Sequence, residues 1–276
     1  MRKSFLAAAA FSLALFASAA QAAPSSFAEK DQSGHLFAHL TQGEDLPTPR
    51  DGGVFGIPNT PILYSVLRDG EGPVRMRFEI EGQAHEIALP IEIGAQDELS
   101  AWPMFISLPQ AGQEAQSWLL GVQLQRRRGY SGGGASDNWL HLFRVDNPAT
   151  DHGEARPVLS LPLAADKLIR ACFSEADQVP RQNVCHDSYK FEALLHLDTS
   201  HRGDWPVLLY QSHAVAQPGL LAKQRQLPDR VLTAEEAAEA QDAACSVNRS
   251  LRYDPQSLRY EIDMPGADCG DYFLDE

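Results

Sequence analysis

The chain has 276 residues, 43% apolar and 22% charged, with a formal net charge of -14. That composition excludes a disordered tail, a collagen-like or low-complexity chain and a multi-span membrane protein. The acidity also argues against nucleic-acid binding, because neutralising phosphates needs clustered Lys and Arg.

Arg2 and Lys3 precede an unbroken run of apolar and small residues from Phe5 to Ala20, and Ala20-Gln21-Ala22 supplies a small-x-small pattern. The spacing predicts a cleavable export signal over residues 1–22, with the mature chain starting near Ala23. No cysteine stands directly after the cleavage position and no later stretch is long and apolar enough to span a bilayer, so no membrane anchor is expected after cleavage. The expected compartment is the periplasm or the exterior. Losing Arg2 and Lys3 makes the remainder more acidic, which serves solubility or steers the protein toward a cationic partner.

Residues 24–60 are rich in Pro and Gly and read as an irregular arm or extended surface strands. Val74, Met76, Phe78 and Ile80 then alternate with polar neighbours, Glu81-Gly82-Gln83 turns the chain, and Ile87, Leu89, Ile91 and Ile93 resume the alternation. This predicts a half-buried hairpin. Further strand-like runs are Trp102 to Leu108, Trp118 to Gln125, Trp139 to Val145, Val158 to Leu163, Leu168 to Phe173, Tyr189 to Leu197 and Val207 to Gln211. One helix stands out over Ala234 to Ala244, with Thr233 as N-cap, Glu236 completing a capping box and Cys245 pinning its end. Val247 to Tyr253 and Leu258 to Ile262 close the series. The phrases Ser250-Leu251-Arg252-Tyr253 and Ser257-Leu258-Arg259-Tyr260 read as facing strands of one hairpin. About eleven strands and one helix indicate a mainly β fold, an antiparallel sandwich, barrel or propeller-like arrangement. A single domain over residues 23–276 is expected. The turn-rich Asp146 to Pro157 offers a subdivision near residue 150 as the alternative.

All four cysteines, Cys172, Cys185, Cys245 and Cys269, lie in the later part of the chain. An even count in an exported protein reads as two disulfides, with the sequence-local pairing Cys172–Cys185 and Cys245–Cys269 expected among three alternatives. No C-x-x-C occurs, so a zinc site is not implied. Neighbours in Cys185-His186-Asp187 would point to opposite faces of a strand.

Gly129-Tyr130-Ser131-Gly132-Gly133 matches the G-x-S-x-G pattern of a hydrolase elbow, which needs a strand before the serine and a helix after it. Here more glycine and another strand follow, so a flexible hairpin tip explains the pattern without catalysis. Arg126, Arg127 and Arg128 form the one dense basic cluster, suited to gripping a carboxylate or phosphate or to keeping a sheet edge soluble. His35 and His39 would share a face only if their stretch were helical. His141 should share one strand face with Trp139 and Phe143, and Asp198, His201 and Asp204 form an acid–base group, a cation site or an Asp-capped turn. No phosphate-cradling loop, dinucleotide fingerprint or haem attachment motif appears, so no cofactor is implied.

These features favour an exported binding or inhibitor protein that neutralises a cationic envelope-acting enzyme or toxin. The alternative is a cell-envelope hydrolase whose site is assembled across loops from residues such as Ser131, His141 and Asp204.

Overall fold

Alternation of apolar and polar residues builds nearly every element of this molecule. The computed structural model describes residues 27–42, 53–68, 70, 72–109, 117–150, 155–264 and 267–275. The expected leader over residues 1–22 and its cleavage position lie outside the described residues. In chain order the first strands are β1 (Ala28–Lys30), β2 (Leu36–His39), β3 (Thr41–Gln42) and β4 (Val54–Gly56). The described part of the Pro/Gly-rich arm is thus extended. Longer strands follow: β5 (Ile62–Arg68), β6 (Val74–Ile80), β7 (Gln83–Leu89), β8 (Glu98–Leu108), β9 (Ser117–Tyr130), β10 (Gly133–Val145) and β11 (Pro157–Arg170). The last are β12 (His186–Leu197), β13 (Leu208–Gln217), the two-residue β14 (Ala240–Gln241), β15 (Asn248–Asp254) and β16 (Arg259–Ile262).

The strands pair antiparallel in two sheets. β3 to β7 form a five-stranded sheet in chain order, and the eleven-stranded sheet runs β1-β2-β8-β9-β10-β11-β12-β13-β15-β16, with β14 beside β13. Of the alternatives open to the sequence, the result is a sandwich-like all-β fold and not a closed barrel. The anticipated hairpin is β6–β7, and it ends at Leu89 because Pro90 has no N–H to continue the ladder. The hairpin read from the repeated phrases forms as β15–β16 with Tyr253 opposite Tyr260, but Ser257 and Leu258 lie in its turn, and Leu251 and Arg252 meet Ile262 and Glu261. Val158–Leu163 and Leu168–Phe173 are not two strands. Val158–Leu163 and residues 168–170 belong to the single β11, which stays continuous through a register shift opposite Asn138 and Trp139, while residues 171–173 lie beyond its end.

Two cores result. Tyr64, Val66, Val74, Met76 and Phe78 of the small sheet pack against Phe105, Trp118, Leu120, Val122, Phe143 and Val145 of the large one. The Tyr64 hydroxyl crosses this interface to donate to the Gly121 carbonyl at 2.8 Å, and burial pushes its phenol pKa up. The second core gathers Ile106, Leu119, Leu140, Leu142, Leu161, Leu195, Leu208 and Leu251 along the large sheet. That sheet curves until β1 reaches β12, where Glu29 accepts from the Leu197 amide at 2.6 Å and faces His196 at 3.1 Å. Near the same junction the buried His35 meets Asp31 at 2.7 Å and the Asp204 carbonyl at 3.1 Å.

The helix expected over Ala234–Ala244 is a correction. Its capping box forms as read, with Glu236 and Thr233 exchanging hydrogen bonds of 2.9 and 3.2 Å, but α3 spans only Ala234–Ala237. Ala238 turns extended, β14 joins β13, and the Asp242 amide donates to Ala214. Sheet pairing overrides alanine's helix propensity there. Two further one-turn helices, α1 (Glu175–Gln178) and α2 (Leu221–Gln224), carry no signal in the alternation.

Candidate functional site

The cysteines form the two sequence-local disulfides, Cys172–Cys185 and Cys245–Cys269. Such bonds persist in an oxidising, extracytoplasmic environment. No helix among the described residues is long and apolar enough to cross a membrane. Cys185 is thereby removed as a metal ligand, and Asp187 pairs with Arg181.

Cys269 opens a strap, residues 269–275, laid across β10, β11 and β12. Its Tyr272 is fully buried and donates to Asp242 at 3.1 Å, while Arg225 pairs with the same carboxylate at 2.7 Å. Phe273 packs on Trp139 and Phe191, with ring centroids 5.6 and 5.1 Å away. Leu274 donates its amide to Asp137 and accepts from Arg126.

The three arginines of the basic cluster all meet acceptors within the chain. Arg126 makes a two-pronged pair with the buried Asp137 at 2.8 and 2.6 Å. Arg128 binds Asp97 at 2.7 Å, and Arg127 lies 3.5 Å from Glu98. They brace the sheet.

Ser131 occupies the tip between β9 and β10, and β10 follows directly where an elbow would need a helix. The tip glycines have a steric cause. Gly132 takes φ +94°, and a Cβ at Gly133 would stand 1.9 Å from the Leu168 carbonyl oxygen, so the close passage of β11 demands them. His141 lies ten residues further along, roughly 30 Å away at the usual strand rise. At the other end of the sheet, Asp198 accepts from the Ser200 amide and hydroxyl at 3.0 and 2.6 Å, and the hydroxyl bond holds its carboxyl below the ordinary range. His201 donates its amide to the Asp198 carbonyl, so this group is a capped turn. Neither His201 nor Asp204 bonds to His141 or Ser131. The structure does not assemble these candidates into one site.

It does give His141 a partner that the sequence conceals. The imidazole Nδ1 stands 2.9 Å from the hydroxyl of Ser160, directly opposite on β11. Its Nε2 and the indole Nε1 of Trp139, two residues earlier, are both buried with no hydrogen-bond partner among the described residues. Burial, aided by the charge of Arg126, lowers the His141 pKa, so the ring is neutral at neutral pH. Ser160 gives no sequence signal, because cross-strand neighbours are fixed by register.

Surface charge is uneven. Arg75, Arg126, Arg128, Arg144, Arg181, Arg225 and Arg230 each pair with a carboxylate. By contrast Glu261, Asp263, Asp268 and Asp275 are exposed and form no ion pair among the described residues. Glu261 and Asp263 flank the exposed Ile262 on and just after β16, the terminal strand of the large sheet, while Asp268 and Asp275 lie further along the chain toward and on the strap. No family model matches the chain, and no curated protein or solved structure is detectably similar to it.

Proposed function

We propose that this is an exported binding protein that captures a cationic partner in the periplasm or outside the cell, such as a basic envelope-acting enzyme or toxin. One observation carries the reading: Glu261 and Asp263, on and just beyond β16, form no ion pair among the described residues and stand beside exposed Ile262 and Met264, whereas half of the described arginines are paired with carboxylates within the fold. Basic residues bring aliphatic stems as well as charge, so both features suit the same partner. A terminal strand also leaves one side of its backbone free for an added strand. The test is surface binding of the full chain to a panel of basic proteins at low and high salt. Association should slow at least about tenfold with salt, and E261Q/D263N/D268N should slow it similarly at low salt. A wild-type chain that binds no basic protein, or an association insensitive to both changes, overturns the reading.

A second reading, an envelope hydrolase, rests on the His141–Ser160 contact, a base within reach of a hydroxyl. It requires that the unmodified chain turn over envelope material and that Ser160→Ala lower the rate at least about a hundredfold. Unchanged turnover in Ser160→Ala removes it.

A further inference from the structure

A cleft of about 630 Å³ opens between the end of β5, the loop after β7 and the start of β8. Its lining is apolar at Val66, Ile93 and Leu99 and polar at Ser100 and Gln125. Arg68 is the one cation in that lining. Its Nη1 donates to the Gly94 carbonyl at 3.2 Å, but its Nε is buried without a hydrogen-bond partner, and no carboxylate of the described residues pairs with it.

The two acids in the same lining are already engaged. Asp97 accepts from Arg128 and from the Gly94 amide, both at 2.7 Å, and its side chain is only 4% exposed. Burial alone would raise its carboxyl, yet those hydrogen bonds outweigh burial and hold it below the ordinary range. Glu98 is exposed and turned to Arg127. The Gly94–Asp97 turn therefore fixes the carbonyl that anchors Arg68, and the guanidinium is held in place with donors to spare. A guanidinium N–H withdrawn from water without an acceptor among the described residues is unfavourable, and the planar fork of arginine matches an oxyanion.

We propose that this cleft binds a small amphiphilic carboxylate, its carboxyl group on Arg68 and its apolar body against Val66, Ile93 and Leu99. The volume falls within the range of roughly 300–1,000 Å³ typical of small-molecule sites. A single cation among the described lining residues suits a monoanion better than a phosphate, whose second charge would go unanswered. This site is separate from the acidic surface around β16.

The experiment titrates the full chain calorimetrically with octanoate, octanol and inorganic phosphate, and follows the Gly94 and Ser100 amides by NMR. Octanoate should bind at least tenfold more tightly than octanol or phosphate and shift both amides. Arg68→Gln should abolish that preference. Arg68→Lys, which keeps the charge without the fork, should weaken octanoate while retaining some preference, and it serves as the test if Arg68→Gln fails to fold. Equal binding of octanoate and octanol, tighter binding of phosphate, no octanoate binding, or an Arg68 variant that binds as the wild type does would each overturn the proposal.

Discussion

The large sheet is covered in two ways. Over β8 to β10 a second sheet supplies the cover, and its side chains reach the interface by strict alternation along β5, β6 and β7. Across β10 to β12 the cover is the strap, a single short segment that makes one 3-10 turn over Gly270–Tyr272 and joins no strand ladder. Its hold comes from one disulfide, the buried Asp242–Arg225–Tyr272 group, the Leu274 bonds to Asp137 and Arg126, and four aromatic contacts of Tyr272 and Phe273. A sheet delivers many apolar side chains per covered strand, whereas a strap delivers few and depends on specific polar and covalent ties. The two covers should therefore fail differently.

Truncation in the sheet-covered half should give the largest effect. Phe78 is fully buried between the sheets, and Phe78→Ala should cost about 3–5 kcal/mol, read by urea unfolding. A loss below about 1 kcal/mol would show that the small sheet contributes little to the cover. Next comes the strap. The Cys245–Cys269 bond closes a span of 24 residues, and Cys245→Ser with Cys269→Ser should cost about 3.5 kcal/mol by loop-closure entropy. The same double change at Cys172 and Cys185, 13 residues apart, should cost about 3 kcal/mol. Near-equal stabilities would still leave a difference in place: only the first variant should become prone to limited proteolysis after Met264. Equal protease resistance of both variants would mean that the strap holds without its disulfide.

The same contrast explains what the sequence made legible. The β6–β7 hairpin declares itself because one face is buried and the other wet, so Val74, Met76 and Phe78 must alternate with polar neighbours. Cysteine pairing was legible because short spans dominate loop closure. The capping box at Thr233 and Glu236 was legible too, but the length of its helix was not, since β14 and the buried Asp242 are set by distant strands and by the strap. The candidate chemistry fared similarly. Ser131 has a motif without a setting, while Ser160 has a setting without a motif: it meets His141 only through β10–β11 register, which the shift at Asn138 and Trp139 adjusts. Arg68 is ordinary in sequence. Its lack of a carboxylate partner among the described residues appears only once Asp97 is seen to meet Arg128 and Glu98 to face Arg127.

The smallest expected effect lies at the seam between the two covers. His141 stands between Phe143, which belongs to the sheet-covered core, and Trp139, which touches Phe273 of the strap. Its pKa is lowered chiefly by burial and then by the charge of Arg126, so the folded ring resists protonation. Below the ordinary value of 6.5 the unfolded chain takes up a proton that the folded chain does not, until the pH falls through the depressed folded pKa. Stability should therefore decline on acidification from 6.5 downward, and it is fully present above that value. His141→Asn, which keeps a group able to meet Ser160 but does not titrate, should flatten that part of the pH profile measured by urea unfolding. The strap enters because Phe273 shields this site through Trp139. Releasing it by Cys245→Ser and Cys269→Ser should hydrate His141 and shrink the same slope, whereas Cys172→Ser with Cys185→Ser should leave it intact. A slope that survives in His141→Asn would assign the acid sensitivity to other groups. A slope unchanged by strap release would place the desolvation of His141 wholly under the small sheet.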